Sequence, residues 1–214
     1  MIFQGIIFDL DGVICSTDEY HYQAWKELAD REGIPFDRSV NNRLRGVSRM
    51  ESLEILLERA KRSYSQEEKE KMAAAKNTRY QELLREMTPA DLSPEVFETL
   101  ETLRKQGLKL AIGSSSKNTP LILDRLGLGG YFDAVSDGNN ITRSKPDPEV
   151  FLKAAEYLGL SPETCLVVED AVSGVEAAHR AGMKAAALGD AAKTGVGEWK
   201  LPSFSAIMTL LKKF

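Results

Sequence analysis

The sequence predicts an α/β protein: a doubly wound parallel sheet with a small α-helical domain inserted near its start. Three features carry that prediction. Short apolar runs alternate with helical patterns along most of the chain, the order that builds a parallel sheet covered on both faces. From about Thr17 to Met87 the alternation stops and only helical periodicity remains. Two of the apolar runs end in paired acids, Asp9-x-Asp11 and Glu169-Asp170, and open α/β sheets bind ligands at the carboxyl ends of their strands.

The first run, Ile2 to Phe8, reads as a strand buried on both faces. In the inserted region, Ser16-x-x-Glu19 and Ser65-x-x-Glu68 have the spacing of capping boxes, where serine and glutamate satisfy each other's backbone N–H. Leu53, Leu56, Leu57 and Ala60 recur at helical spacing, as do Met72, Lys76, Tyr80, Leu83 and Met87. The chain returns toward the sheet near Thr88-Pro89. Ser93-Pro94-Glu95 opens a helix with proline in its first turn, Val96, Leu100 and Leu103 form its inner face, and Gly107 stops it. Lys109 to Gly113 is a second strand and Ala134 to Ser136 a short further one. Helices over Pro148 to Leu158 and Ala171 to Ala181, stopped by Gly159 and Gly182, flank a strand at Cys165 to Val168. Lys184 to Leu188 is a weaker strand, and Phe204, Ile207, Leu210, Leu211 and Phe214 mark a closing amphipathic helix. The expected division is a core of residues 1–15 and 88–214 and a helical domain of residues 16–87.

Composition narrows the function. Of 214 residues, 43% are hydrophobic and 28% charged, with a net charge of −4, the balance of a folded globular chain. The longest charge-free run, Leu201 to Leu211, is 11 residues, against about 20 for a spanning helix, so no membrane partner is expected. Mild acidity argues against a nucleic-acid partner and leaves phosphate binding to local groups. Cys15 and Cys165 stand apart from each other and from any Cys/His cluster, so structural zinc is not expected. The opening MIFQGIIFDLDG lacks the basic stretch of a signal peptide. The expectation is a cytoplasmic monomer with both thiols reduced.

A strand buried on both faces gains no stability by ending in two carboxylates, because desolvating an unpaired carboxylate is costly. One aspartate before Gly12 would be a turn; the pair Asp9 and Asp11 asks for more. Glu169 and Asp170 alone would suit a helix start. Two acid-bearing strand ends on one sheet edge, however, create a negative field that a cation with hard oxygen ligands relieves, Mg²⁺ above all. Gly113-Ser114-Ser115-Ser116-Lys117-Asn118 follows a strand and offers hydroxyls and free amides to an anion. Lys145, just before Pro146, reads alone as a solvated turn lysine. Lys76 falls within an apolar row, where it either snorkels to the rim or points into a cleft. Leu44-Arg45-Gly46-Val47-Ser48-Arg49 offers bidentate donors for a phosphate, or is a solvated basic loop. His21 shares a helix face with Trp25 and Leu28, where packing or capping is the commoner role of a histidine, and His179 reads as packing or surface.

Asp9-x-Asp11-Gly12, Ser114, Lys145 and Glu169-Asp170, in this order, resemble the four motifs of the haloacid dehalogenase superfamily. The inserted helices resemble the small cap that follows the first motif in one branch, and the resemblance spans nearly the whole chain. It implies a Rossmann-like catalytic core, and the second aspartate is that of the phosphotransferase members. It further implies that Asp9 is the nucleophile and Asp11 the general acid/base. Ser114 and Lys145 would stabilise the transferring phosphoryl group. Asp9, the Asp11 backbone carbonyl, Asp170 and Glu169, the last directly or through water, would hold Mg²⁺.

Within the superfamily, Thr17-x-x-x-His21, Arg45 to Arg49, Lys76-Asn77 and Ser114-x-x-Lys117-Asn118 resemble the β-phosphoglucomutases, with arginine at 45 where that family would carry lysine. This resemblance implies interconversion of β-glucose 1-phosphate and β-glucose 6-phosphate, with β-glucose 1,6-bisphosphate as intermediate and activator. It puts Arg49, Ser116 and Asn118, assisted by Lys117, on the distal phosphate, with Gly46, Ser48, Lys76 and Ser115 among the substrate contacts. Thr17, His21 and Lys76 would couple cap closure to Asp11 and the sugar. A mutase must grip a second phosphate and keep water from the aspartyl-phosphate. A phosphatase of a small sugar phosphate shares the core residues but needs no distal grip, and is the alternative. A non-catalytic phosphate sensor would have no use for Asp11.

Overall fold

The computed structural model describes residues 3–44 and 47–214. Strand β1 (Gly5–Phe8) leads into four helices, α1 (Asp18–Glu32), α2 (Arg38–Asn42), α3 (Arg49–Leu57) and α4 (Gln66–Leu84). There follow α5 (Pro94–Lys105), β2 (Lys109–Gly113), α6 (Thr119–Arg125), β3 (Ala134–Ser136), α7 (Glu149–Leu158) and β4 (Cys165–Glu169). Then come α8 (Val172–Arg180), β5 (Lys184–Ala187), α9 (Gly189–Thr194), β6 (Trp199–Lys200) and α10 (Ala206–Leu211). The strands form one sheet in the order β3-β2-β1-β4-β5-β6, each neighbour parallel to the next. The order turns back between β1 and β4, so the crevice at their carboxyl ends is the switch point where ligands of such sheets bind.

The central strands read as continuous apolar runs because each face of the sheet has its own core. Ile6, Phe8, Leu110, Ile112, Leu166 and Val168 pack on one face with Leu100, Ile122 and Ile207 of α5, α6 and α10. Ile7, Ala111, Val167 and Ala185 pack on the other with Phe151 of α7 and Val175 of α8. Alternate residues of one strand thus serve opposite layers. Both cysteines are free and buried in these layers. Strand β6 gives no sequence pattern, since it is two residues long. His179 lies on the surface, its Nε2 3.1 Å from Glu198 Oε2.

The inserted helices enclose a separate cluster that includes Trp25, Leu28, Phe36, Leu53, Leu56 and Met72. The row Met72, Lys76, Tyr80, Leu83, Met87 is one stripe, but it serves two cores. Met72 belongs to the inserted cluster, whereas Tyr80, Leu83 and Met87 join the sheet-side layer. The capping box at Ser65 and Glu68 forms, and another, not anticipated, closes the start of α3 through Ser48 and Glu51. The box expected at Ser16 and Glu19 does not form. Helix α1 starts one residue later with Thr17 at its N-cap, Ser16 is exposed, and Glu19 instead pairs with Arg38 at 2.9 Å. The Thr17 hydroxyl is directed away from the helix, donating to Asp11. Among the described residues no helix is long and apolar enough to cross a membrane.

The two sites give a paired prediction. Ser65→Ala removes a formed cap and should destabilise the fold by about 1 kcal/mol, whereas Ser16→Ala should fall within about 0.5 kcal/mol of wild type. Urea unfolding of both variants measures the difference, and equal losses would contradict the observed caps.

Candidate active site

The parallel ladder runs one residue past the strands and fixes the first polar residues beyond them. The Asp9 N–H donates to Val168 O at 3.0 Å, and the Ser114 N–H donates to Ser136 O at 3.0 Å. Asp9 and Glu169 therefore stand side by side at the ends of β1 and β4. Lys145, from the loop before α7, lies between them. Its Nζ donates to an Asp9 carboxylate oxygen and, at 2.5 Å, to Glu169 Oε1. The three side chains are nearly inaccessible: Asp9 is 7% exposed, Lys145 3% and Glu169 1%. Lys145 is thus a buried bridge, not the solvated turn lysine that its sequence context alone suggests. The second Glu169 oxygen accepts from the Ala171 N–H at 2.9 Å.

Glycine makes this crowding possible at two points. Gly12 has φ +90°, and a Cβ there would lie 2.1 Å from Asp170 Oδ2. In α8, a Cβ on Gly174 would lie 1.8 Å from Glu169 Oε1. The carboxyls of Glu169 and Asp170 rest directly on backbone that only glycine leaves open.

One ammonium among these acids leaves a negative excess. Burial raises the Asp9 carboxyl well above the usual range; Lys145 opposes this, while the charges of Glu169 and Asp170 add to it. Burial would depress the Lys145 ammonium, but Asp9 and Glu169 overcome it and lift it above the ordinary lysine value. Asp11 is raised to about 6, chiefly by burial, with the Thr17 hydrogen bond acting the other way. Among the described residues, no three His, Cys, Asp or Glu side chains converge as a metal site. The donors on offer are instead the Asp9 and Asp170 carboxylates and the backbone of the loop between Asp9 and Gly12. A hard divalent cation that keeps waters and phosphate oxygens among its ligands fits such a sparse oxygen set and its charge excess.

The inserted helices bring cations that pair with no acid into the cavity, beside the acids Asp18 and Glu70. Lys76 is 3% exposed, with Nζ 2.9 Å from His21 Nδ1 and over the rings of Tyr80 at 4.3 Å and Trp25 at 4.9 Å. Burial, then the charge of Arg49, depresses the Lys76 ammonium well below its usual value, with Asp11 opposing. Burial, Lys76 and Arg49 also hold the His21 imidazole well below 6.5. The His21 ring stacks on Tyr80 at 4.0 Å. The Tyr80 hydroxyl donates to Thr17 Oγ1 at 3.0 Å, and Thr17 donates to Asp11. Helix α4 thereby reaches the Asp11 carboxylate through one threonine.

The same helix holds the loop after β2. Asn118 Oδ1 accepts from Gln81 Nε2 at 2.8 Å, and its Nδ2 donates to Asn77 Oδ1 at 3.0 Å. Within the loop, the Ser116 N–H donates to Ser114 Oγ and the Asn118 N–H to Ser116 Oγ, both at 3.2 Å.

A cavity of about 540 Å³ joins the two sides. Asp9, Asp11, Ser114, Lys145, Glu169 and Asp170 line it from the sheet edge, and His21, Ser48, Arg49 and Lys76 from the helices. Ser115, Ser116, Lys117 and Asn118 line the wall between. Thr17 does not line the cavity and acts on it through Asp11. Ser48 Oγ is engaged as the N-cap of α3, accepting from the Glu51 N–H at 3.3 Å. Arg45 and Gly46 lie outside the described residues. Sequence reasoning passed over Tyr80 as a hydroxyl donor and Gln81 altogether. The available signal was the doubled i, i+4 spacing of Lys76 with Tyr80 and Asn77 with Gln81, which aligns two polar pairs on successive turns.

Two predictions follow from this geometry. Gly174→Ala should push the Glu169 carboxylate off Lys145 and lower phosphoryl turnover roughly a hundredfold, with circular dichroism unchanged; full turnover would show that the bridge tolerates displacement. The His21 imidazole should stay neutral as pH falls through 6.5, read by ¹⁵N NMR of the ring. Since the unfolded chain takes up that proton first, the stability His21 contributes is complete above about pH 6.5 and is lost below it.

The haloacid dehalogenase-like hydrolase profile matches residues 3–182. A β-phosphoglucomutase of Bacillus subtilis (strain 168) is 44% identical over 188 residues, 87% of this chain and 83% of its own. A phosphorylated carbohydrates phosphatase of Thermotoga maritima is 35% identical over 184 residues, 85% of this chain and 82% of its own. The crystal structure of a β-phosphoglucomutase from Clostridium difficile is similar with a TM-score of 0.91 at 36% identity, covering 99% of this chain and 96% of that one. Sheet order, acid pairs, lysine bridge and profile agree: the chain belongs to the haloacid dehalogenase-like hydrolase family.

Proposed function

We propose that the protein is a Mg²⁺-dependent phosphomutase that interconverts β-glucose 1-phosphate and β-glucose 6-phosphate through an aspartyl-phosphate and β-glucose 1,6-bisphosphate. Residues 16–87 serve as the cap, and residues 1–15 and 88–214 as the catalytic core. The observation that carries this reading is a set of cations without acid partners. Arg49, Lys76 and Lys117 line the same cavity as Asp9, and among the described residues none of them pairs with a carboxylate. Lys145, by contrast, is fully paired. Lys76 is buried and Arg49 half-buried, and such cations without counterions fit an anion supplied by the ligand; with exposed Lys117 beside them they fit a phosphate beyond the one being transferred.

Each half-reaction moves one phosphoryl group. The 6-hydroxyl of β-glucose 1-phosphate attacks the phosphorus of phosphorylated Asp9, the bond to the Asp9 oxygen breaks, and Asp11 takes the hydroxyl proton. The resulting bisphosphate turns over in the cavity. Asp9 then attacks the phosphorus at the 1-position, and Asp11 returns the proton to the departing sugar oxygen. A carboxyl raised to about 6 is matched to both duties near neutral pH. Ser114 and Lys145 would hold the transferring phosphoryl oxygens. Asp9, Asp170 and the Asp11 carbonyl would hold Mg²⁺, with Glu169 direct or through water, and the ion would supply charge neutralisation for the carboxylates and the phosphoryl group. Arg49, Ser116, Lys117 and Asn118 would grip the other phosphate, and the Tyr80–Thr17–Asp11 and Lys76–His21 contacts support coupling of cap closure to the acid/base group. The likeness to the Thermotoga maritima phosphatase supports a second reading, hydrolysis of a small sugar phosphate.

³¹P NMR with β-glucose 1-phosphate, Mg²⁺ and a trace of the 1,6-bisphosphate separates the two. Growth of glucose 6-phosphate without comparable inorganic phosphate is the expected outcome, and inorganic phosphate as main product would replace the mutase by the phosphatase. Asp9→Asn should abolish either. Arg49→Ala should reduce mutase turnover more than hydrolysis of a simple phosphate ester, and equal loss would count against a distal-phosphate grip.

A further inference from the structure

Between β3 and α7 the chain from Asp137 to Pro148 contains no helix or strand. Yet this stretch delivers Lys145 Nζ to both Asp9 and Glu169. A loop places an ammonium reproducibly only if its own backbone is tied down. Beside Lys145 itself the ties are slight. The Lys145 N–H donates to Ser115 Oγ at 3.4 Å, and Pro146 O accepts from the exposed Arg180, Nη1 at 3.1 Å. The stronger tie is Glu149. Its Oε2 accepts from the Thr142 N–H at 3.0 Å, the Thr142 hydroxyl at 2.8 Å and the Arg143 N–H at 2.8 Å. One carboxylate oxygen thus draws the two ends of residues 142–149 together, with Lys145 between them.

An acid in the first turn of a helix is ordinarily explained by the helix dipole, and Glu149 is the first residue of α7. Its carboxylate, however, is directed at backbone seven and six residues earlier. The hydrogen bond from the Thr142 hydroxyl, above all, holds the Glu149 carboxyl below its usual range, with burial opposing. The acceptor is therefore charged, and charged acceptors make the stronger hydrogen bonds. Nearby cations matter less. Lys153 Nζ stands 3.7 Å away and Arg143 Nε 4.0 Å, the Arg143 side chain being 70% exposed, and solvated pairs of this kind contribute little. Two residues further along α7, the Phe151 ring lies 4.8 Å from Lys145 Nζ. The helix that packs against the ammonium also closes its loop.

We propose that Glu149 is a positioning residue for phosphoryl transfer, closing the 142–149 loop so that the Lys145 ammonium is fixed against the transferring group. The inference rests on the role given to Lys145 above, and it holds for transfer to a sugar or to water alike. Displacing a group that stabilises the transition state by about 1 Å can cost about a hundredfold in rate. Because the charge Lys145 meets develops during transfer, the loss belongs in kcat more than in KM.

The test compares wild type, Glu149→Ala, Glu149→Gln and Thr142→Val, each with Mg²⁺, on β-glucose 1-phosphate and on a simple aryl phosphate ester. In Glu149→Ala, kcat should fall roughly tenfold to a hundredfold by the same factor on both substrates, with KM within about threefold. Glutamine keeps an acceptor for the two N–H groups and should recover most of the loss. Thr142→Val removes one of the three donors and should lose severalfold. In ¹H–¹⁵N NMR spectra the Lys145 amide signal should move in the alanine variant and return toward its wild-type position in the glutamine variant. A lowered thermal midpoint or a moved Lys145 signal with kcat unchanged would overturn the proposal and leave Glu149 a structural residue. A loss confined to KM or to the sugar phosphate would overturn it too, as would glutamine no better than alanine. The identity of the product, glucose 6-phosphate or inorganic phosphate, judges the mutase reading separately.

Discussion

The site depends on one shared ammonium. Adjacent parallel strands set Asp9 and Glu169 about 4.8 Å apart in the hydrogen-bonding direction, with little of either side chain exposed. Two carboxylates so placed repel each other, and Asp170 adds a third. Lys145 satisfies two of them at once, at the end of a loop whose position is set by α7 packing on the sheet. One cation against three acids leaves a deficit, expressed in the raised Asp9 carboxyl. That deficit would suit a divalent cation and, with it, a phosphoryl group. A second lysine in place of the deficit would give a more stable and less useful site.

The helical side carries both signs, with Asp18 and Glu70 in its lining. Lys76 and Arg49 form no ion pair among the described residues, and His21 stays neutral beside them. The two halves are joined by α4, whose single buried stripe begins in the inserted cluster and ends in the sheet-side layer. Its polar residues reach in two directions: Tyr80 toward Asp11 through Thr17, and Asn77 with Gln81 toward Asn118. A shift of this helix would therefore alter the acid/base group and the loop after β2 together.

Much of this was legible in the sequence, for definite physical reasons. Strands buried on both faces must be apolar throughout, so β1, β2 and β4 announce themselves, and acids at their ends stand out. Glycine and proline punctuate α5 and α7 clearly. What was not legible depends on contacts distant in sequence. Lys145 looks like a solvated turn because its partners lie 136 and 24 residues away. Thr17 looks like part of a capping region, yet its hydroxyl is claimed by Asp11 and Tyr80, and the nearby Ser16 box is abandoned. Tyr80 looks like core, and its ring is; only the hydroxyl has a second role.

The charge arrangement also bears on the choice between transferring and hydrolysing phosphate. Desolvated cations without counterions are destabilising in the free protein, and Lys76 shows it by its depressed ammonium. Such a cost persists only if something returns it when ligand binds. A phosphatase gains little from holding a second phosphate tightly, because its product must leave after one transfer. A mutase must retain the bisphosphate while it reverses, and a phosphate dianion beside Lys76 and Arg49 would supply the missing counterion charge. The bound state would then be the electrostatically complete one, and closure would be driven by the ligand whose escape it prevents.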